Sequence, residues 1–262
     1  MSQVQGRPKS TMSPERRYGI AISVALILGG VYWALTGLTE DTKTSQAGYP
    51  VQGDSLLVEA KSTNIEVRVG DVSDVRVERQ FERNLFGSDP KEQYDDGKLE
   101  LKDTGCGFLS FGCETHYILT VPKDLKVTLE SSSGDLKVSG LLDGATLKTS
   151  SGDIEVQDIG GPLSLESSSG DLEASGLTAT SVTTKSSSGS AELEFAKAPQ
   201  SVDSEASSGD VTIRVPNDTV AYKVDTETSS GDESATVTAD PAATHTIDAK
   251  TSSGDVTVEY TH

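Results

Sequence analysis

The sequence predicts an all-β protein, a parallel β-helix-like solenoid of about seven rungs with an irregular N-terminal β segment and one N-terminal transmembrane helix. Three observations support this fold class. The unit SSGD recurs at nearly constant spacing, apolar and polar residues alternate on both sides of it, and aromatic residues make up only 5% of the chain. Such a composition suits short strands joined by turns better than helices around an aromatic core.

The SSGD unit sets the period of the repeat. Successive glycines lie 18, 18, 19, 20, 22 and 23 residues apart. Periods of this length are typical of proteins built from stacked repeats. The glycines are Gly134, Gly152, Gly170, Gly189 (in the variant SSGS), Gly209, Gly231 and Gly254.

Aligned on the glycine, the repeats show columns of apolar residues at alternate positions, which is the pattern of half-buried strands. One strand precedes the glycine, with inward positions seven and five residues before it. A second strand follows, with inward positions two and four residues after it. In the first repeat these positions hold Val127, Leu129, Leu136 and Val138. One such unit cannot bury its apolar face alone, so we expect successive units to stack.

The corner between the two strands explains the glycine and the aspartate of the motif. A tight corner needs a positive φ, which glycine adopts readily, and an aspartate can accept a hydrogen bond from the backbone of its own turn. Glu233 breaks the inward column of one repeat. We therefore expect that rung to be distorted, with the loop between Asp232 and Val237 displaced.

The N-terminal region predicts a membrane anchor. Residues 18–38 carry no charge, and 21 residues are enough to cross a bilayer as a helix. Basic residues precede this stretch and Glu40 and Asp41 follow it, so residues 1–17 are predicted to be a cytoplasmic tail. A cleavable secretory signal is the alternative, although the nearest small-residue site, Ser45 to Ala47, lies far downstream. Either interpretation exports the rest of the chain.

Residues 39–50 are predicted to be a polar linker. Residues 51–122 are predicted to form a less regular β segment, which precedes the solenoid of residues 123–262. Within this segment KLELKD is predicted to pair with HYILTV. Between them Cys106 and Cys113 flank a six-residue tip, a spacing that suits a disulfide across a hairpin in an oxidising compartment. A metal site would need further Cys or His ligands, so none is predicted here.

The formal net charge of −19 restricts the partners. A surface this acidic repels phosphate backbones, so nucleic-acid binding is not expected. Membrane lipid is expected to contact the anchor helix. An envelope polymer or a membrane-protein partner is the other candidate, together with self-association through the open edge of the C-terminal strand.

Residues 51–262 resemble the bacterial putative-adhesin family of β-strand-repeat proteins, whose function is uncharacterised. The resemblance lies in STNIEVRV, DVRVERQ, YILTVPKDLKVTLESSSGD and the recurrent SSGDLKV, SSGDIEV, SSGDLEA and SSGDVTV units. It implies a β-helix-like fold that is tethered to the cell envelope behind one transmembrane helix. It brings no catalytic residues and no cofactor.

Two sets of residues are candidate sites. Six aspartates would stack along one corner, where they either cap their own turns or attract a divalent cation or another ligand. An apolar tip between the cysteines is either a docking site or a lid over the core. The aspartates are Asp135, Asp153, Asp171, Asp210, Asp232 and Asp255, and the tip residues are Phe108, Leu109 and Phe111.

These observations favour a non-catalytic binding, adhesin-like or scaffolding module of the cell envelope. The chain is predicted to be a single-pass protein of the cell membrane, with its C-terminal domain outside the cytoplasm. A regulatory ectodomain in an envelope-stress or signalling assembly is one alternative. A carbohydrate-active enzyme is the second, because some enzymes of that class use carboxylate pairs on β-helices.

Overall fold

A computed structural model of the chain describes residues 41–83, 91–102 and 115–261. These residues form 21 strands, numbered in chain order, that belong to two sheets. The predicted tail and transmembrane helix (1–17 and 18–38) lie outside the described residues. Within those residues, no helix is both long enough and apolar enough to cross a membrane.

The first sheet, sheet A, has eleven strands, and most of its neighbours run parallel. In spatial order these strands are β1 (Asp41–Pro50), β4 (Asp74–Arg83), β7 (Thr115–Val121), β3 (Asn64–Val69), β9 (Leu136–Ser139), β11 (Ile154–Gln157), β13 (Leu172–Leu177), β15 (Ala191–Phe195), β17 (Val211–Val215), β21 (Val256–Tyr260) and β19 (Glu233–Ala235).

The second sheet, sheet B, has ten strands and packs against sheet A through the alternating apolar side chains. From the same end of the molecule, its strands are β5 (Lys91–Asp95), β6 (Lys98–Lys102), β2 (Ser55–Ser62), β8 (Lys126–Ser133), β10 (Ala145–Ser151), β12 (Leu163–Ser169), β14 (Ser181–Ser188), β16 (Ser201–Ser208), β20 (His245–Ser253) and β18 (Tyr222–Thr228).

Each SSGD unit joins a strand of sheet B to a strand of sheet A and so makes one rung. The predicted all-β, solenoid-like stack of parallel strands is confirmed, and the apolar columns form its core: Val127, Leu129, Leu136 and Val138 are all completely buried. Burial of these columns drives the stacking, since a single rung would leave one side of each apolar residue in water.

The rungs do not stack wholly in sequence order. Strands β20 and β21, the last in the chain, insert between the β16–β17 rung and the β18–β19 rung. The C-terminal strand β21 therefore has a neighbour on each side, β17 and β19. The predicted open edge at the C-terminal strand is wrong, because the rung at that end of the stack is β18–β19.

The segment 51–122 is more regular than predicted. Strands β2 and β3 form a further rung, parallel to β8 and β9 and in register with the SSGD rungs. Strands β6 and β7 do not pair with one another, so the predicted pairing of KLELKD with HYILTV is wrong. Instead β6 pairs with β2 and β5, and β7 pairs with β3 and β4, because the chain crosses from sheet B to sheet A here as it does in every rung.

The predicted linker, residues 39–50, also differs from the structure. Residues 41–50 form β1, which pairs antiparallel with β4 over ten residue pairs, from Asp41 with Arg83 to Pro50 with Asp74. The sequence DTKTSQAGYP lacks apolar alternation, and β1 is an edge strand in which residues 44–50 alternate between exposed and half-buried.

The end formed by β18 and β19 is closed by polar groups and a loop. Glu233 lies at an inward position, yet its carboxylate accepts hydrogen bonds from the Thr226 hydroxyl (3.1 Å) and the Thr228 amide (3.2 Å). The side chain of Val237 is buried, and the amide of Tyr222 donates to the carbonyl oxygen of Thr238. The expected displacement of the loop between Asp232 and Val237 is wrong, because Glu233–Ala235 form β19 and pair in register with β21.

Candidate binding surface

The SSGD corners stack so closely that a side chain larger than hydrogen would collide with backbone. At Gly152, φ is 127°, and an added Cβ would lie 2.4 Å from the carbonyl oxygen of Gly134. A Cβ added to Gly209 would lie equally close to the carbonyl oxygen of Gly189. The glycines are therefore required both by φ and by the close approach of neighbouring rungs.

The aspartates of the corners form a continuous hydrogen-bonded ladder. A side-chain oxygen of one aspartate accepts a hydrogen bond from the main-chain amide of the residue at the same position in the next rung. The amide of Asp153 donates to Asp135 at 3.0 Å, and the amide of Asp171 donates to Asp153 at 2.9 Å. The predicted bond within each turn is thus replaced by a bond between rungs.

The ladder runs through every SSGD rung. Ser190 takes the place of an aspartate in the fourth rung, where its hydroxyl accepts from the Asp210 amide at 3.2 Å. Beyond it Asp255 donates its amide to Asp210 and accepts from the Asp232 amide, both at 2.8 Å. The ladder therefore follows the spatial order of the rungs.

The first member of the ladder is Asn64, which the sequence reasoning missed. Its side-chain oxygen accepts a hydrogen bond from the Asp135 amide at 2.9 Å. The signal was present, because KSTN precedes the alternating IEV just as SSGD precedes LKV in the next rung. Thr63 occupies the glycine position and donates its hydroxyl to the Thr115 carbonyl at 2.5 Å.

The six aspartates of the corners were also predicted as a candidate binding site for a divalent cation or another ligand. The ladder uses one oxygen of each aspartate carboxylate except that of Asp232, its last member, and leaves all six aspartates exposed. Within residues 41–83, 91–102 and 115–261, no cluster of three or more metal-ligating side chains is present. Cation binding along this corner remains a prediction.

A second column, which the sequence reasoning also missed, lies on the outer face of sheet B. It consists of the residues four positions before each glycine, and their charges alternate in spatial order. The order is Glu130, Lys148, Glu166, Lys185, Glu205, Lys250 and Glu227. The alternation holds only because β20 lies between β16 and β18, which separates Glu205 from Glu227.

Ion pairs connect members of this charge column. The Nζ atom of Lys148 lies 2.9 Å from Oε1 of Glu166, and Nζ of Lys185 lies 3.6 Å from Oε2 of Glu205. Lys250 bonds to Asp248 on its own strand, and that hydrogen bond raises the pKa of Lys250. Lys148, Glu166, Lys185 and Glu205 are exposed and Lys250 is partly exposed, so each pair stabilises the fold only slightly.

Beside the charge column runs a column of exposed serines, two positions before each glycine: Ser132, Ser150, Ser168, Ser187, Ser207, Ser252 and Ser229. The two columns line two concavities of about 480 and 500 Å³. These concavities lie on neighbouring strands and together extend from β6 to β18. We call this surface the serine groove. Over eight strand spacings it is about 38 Å long.

The outer face of sheet A carries charges in a less regular order. The Nζ atom of Lys137 donates to Glu155 at 2.6 Å, and this hydrogen bond raises the pKa of Lys137. Arg214 bonds to both Glu192 and Glu259, and these hydrogen bonds raise its pKa. This face therefore has local ion pairs and lacks a strictly alternating column.

The predicted disulfide and the predicted apolar tip lie outside the described residues. Cys106, Cys113, Phe108, Leu109 and Phe111 all belong to the segment 103–114. Its flanking residues are Lys102 at the end of β6 in sheet B and Thr115 at the start of β7 in sheet A. The disulfide and the docking tip remain predictions.

The chain matches one known protein family over most of its length. Residues 54–261 match the family described as Toastrack DUF4097. The chain belongs to this family. The match includes every SSGD rung and the β2–β3 rung, and it confirms the resemblance on which the sequence prediction relied. A search of curated proteins finds no match.

Solved structures similar to this Toastrack chain include three from two bacterial species. A putative adhesin from Bacteroides fragilis is 16% identical and aligns over 85% of this chain and 99% of its own, with a TM-score of 0.51. A putative adhesin from Parabacteroides distasonis is 11% identical over 85% and 98%, with a TM-score of 0.47. A putative lipid binding protein from the latter species is 12% identical over 85% and 97%, with a TM-score of 0.47. The first of these likenesses supports the Toastrack fold.

Proposed function

We propose that this chain is a membrane-anchored, extracytoplasmic binding module that holds an extended polymer of the cell envelope in the serine groove without cleaving it. The observation that carries the proposal is the periodicity of the groove. Each SSGD rung adds one serine hydroxyl and one charged side chain at the same two positions, and Lys61 and Lys102 take the serine position on β2 and β6. A surface that repeats in this way suits a ligand that also repeats.

The chemistry of the groove favours a hydroxyl-rich polymer such as a polysaccharide. Serine hydroxyls donate and accept hydrogen bonds, Lys185 donates only, and the carboxylate of Glu205 accepts only. The groove therefore offers both kinds of partner in every two rungs. Two rungs span about 10 Å, close to the length of a disaccharide unit in an extended polysaccharide chain.

The location predicted from the sequence is consistent with an envelope polymer as the ligand. The uncharged stretch 18–38 and the basic residues before it favour a single-pass anchor with the N-terminus in the cytoplasm. The solenoid would then face the cell envelope from the outer side of the membrane. The net charge of −19 disfavours strongly anionic polymers, so a neutral or zwitterionic polysaccharide is the expected class.

Co-sedimentation of the detergent-solubilised full chain with insoluble cell-wall polysaccharide tests this proposal. Ser187→Arg with Ser207→Arg fills the groove with two long side chains at exposed positions. We expect this variant to remain folded and to lose binding.

The control variant is Gln157→Arg with Thr180→Arg, which makes the same change in net charge at exposed positions outside the groove. It is expected to bind like the unsubstituted chain. Equal binding by both variants would exclude the groove as the site. Release of soluble fragments from the polymer would contradict a non-catalytic role.

A further inference from the structure

We infer that the N-terminal end of the solenoid rests against lipid headgroups, so that the stack of acidic rungs stands upright on the membrane. The inference rests on the proposed anchoring through residues 18–38. The proposed interaction surface is the end of the stack formed by β1 and β5. Its partner is the headgroup layer of the bilayer.

The length of chain between the apolar stretch and the fold is the first argument. The uncharged stretch ends at Leu38 and β1 begins at Asp41, so only Thr39 and Glu40 lie between them. Two residues span at most about 7 Å. A linker over 39–50 would have let the domain move away from the bilayer, but β1 incorporates ten of those twelve residues.

The position of β1 is the second argument. It is the outermost strand of sheet A, and β5 is the outermost strand of sheet B at the same end of the stack. The chain therefore enters the fold at the end of the solenoid. With its first strand held within a few ångströms of the bilayer, this end is the part of the fold nearest to the membrane.

The composition of this end suits an interface between water and lipid. Tyr49 of β1 and Tyr94 of β5 stack with ring centroids 4.9 Å apart. Their hydroxyls donate to Glu92 (2.6 Å) and to the Pro50 carbonyl (2.5 Å). Tyrosine is enriched at the headgroup level of membranes. Lys91 and Gln93 of β5 are exposed beside this pair and can contact headgroups.

The distribution of charge favours the upright orientation over one in which a sheet face lies on the bilayer. Residues 41–126 carry 11 Lys and Arg against 16 Asp and Glu, a net charge of −5. Residues 127–261 carry 7 against 23, a net charge of −16. Anionic headgroups therefore repel that part of the molecule more strongly than the N-terminal end. Across the eleven strands of sheet A, the far end then stands about 48 Å from the headgroups.

Spin labels at defined heights test the orientation of the full chain in vesicles of phosphatidylcholine and phosphatidylglycerol that contain a nickel-chelating headgroup lipid. The labelled variants are Gln93→Cys at the N-terminal end, Thr236→Cys at the far end, and Ser187→Cys and Glu173→Cys on the two faces. All four positions are exposed, and the unsubstituted chain is the labelling blank. We expect strong nickel-induced relaxation at position 93 and none above the nickel-free level at position 236.

A linker variant provides the matched control. Inserting about 20 Gly and Ser residues between Glu40 and Asp41, with a mean span of about 25 Å, should reduce the relaxation at position 93. Protein that stays in the membrane but relaxes most at position 187 or 173, or equally at all positions, would overturn the upright orientation alone. Protein recovered in the soluble fraction would overturn both the anchor and the orientation.

Discussion

The Gly254 rung (β20–β21) and the Gly231 rung (β18–β19) carry the same SSGD corner but occupy opposite positions in the stack. The Gly254 rung is last in the sequence and lies inside the solenoid. Its inward residues Ile247, Ala249, Val256 and Val258 are at most 1% exposed. The Gly231 rung comes earlier in the sequence and ends the stack, and its inward residues include Thr226 and Glu233, neither of which is buried.

This difference shows that the end rung accommodates a charged inward side chain, which stays exposed to water, whereas the interior Gly254 rung buries apolar side chains at the same four positions. An interior rung needs inward side chains that are apolar or that hydrogen-bond to each other, as the hydroxyls of Thr184 and Ser204 do at 2.7 Å, because neighbours on both sides remove water from them. An end rung needs groups that can face water, and Glu233 supplies one that also bonds across the open end to Thr226 and Thr228. The charge column is consistent with this order of the rungs, because the order places Lys250 between Glu205 and Glu227.

The largest expected effect comes from placing a charge at equivalent positions of the two rungs. Val258→Asp puts a carboxylate into the core, and we expect it to reduce the free energy of unfolding by about 3–5 kcal/mol. Ala235→Asp makes the same kind of change at the exposed end position and should stay within about 0.5 kcal/mol. Urea denaturation of both variants measures the difference, and similar losses would contradict the assignment of β18–β19 to the end.

An intermediate effect is expected in the aspartate ladder. Asp255→Ala removes the acceptor of the Asp232 amide and should cost about 1 kcal/mol, whereas Asp232→Ala should have little effect because that residue is the last member of the ladder. Asp255→Asn should restore stability, since Asn64 already accepts through a side-chain amide oxygen. Thermal denaturation at one pH compares the three variants, and failure of Asn to restore stability would argue against the ladder bond.

The smallest expected effect concerns the charge column. Lys250→Glu would place three glutamates on adjacent strands and should cost about 0.2–1 kcal/mol, because like charges on neighbouring strands repel. Lys223→Glu makes the same charge change on β18 outside the column and serves as the control. The difference between the two variants should disappear in high salt. A difference that persists at high salt would point to packing instead of charge.

The repeat could be predicted from the sequence because the two strands and the corner of each rung are formed by residues that are close together in the chain. The glycine spacing located all seven corners, and the alternation of residues such as Leu163 and Leu165 identified the inward faces. The serine and charge columns could have been found in the same alignment, because they recur at fixed positions before the glycine. Asn64 was missed because its rung has threonine in place of the glycine that anchored the alignment.

The remaining features depend on contacts between segments that are distant in sequence. β1 has no apolar alternation, and its strand conformation comes from pairing with β4. The partners of β6 and β7 could not be read from their own residues, because both strands suit a hairpin as well as a rung. The C-terminal strand was expected to be an edge because stacking in sequence order is the simplest assumption.

The amino-acid sequence by itself determined the period of the solenoid, its inward columns and its glycine corners, since these follow from the alternation of side chains and the φ of single residues. Only the tertiary structure decided the order of the last two rungs, the use of residues 41–50 as a strand and the bonding of each aspartate to the next rung. Those choices depend on which surfaces remain exposed after all rungs have stacked, and that is a property of the whole assembly of strands.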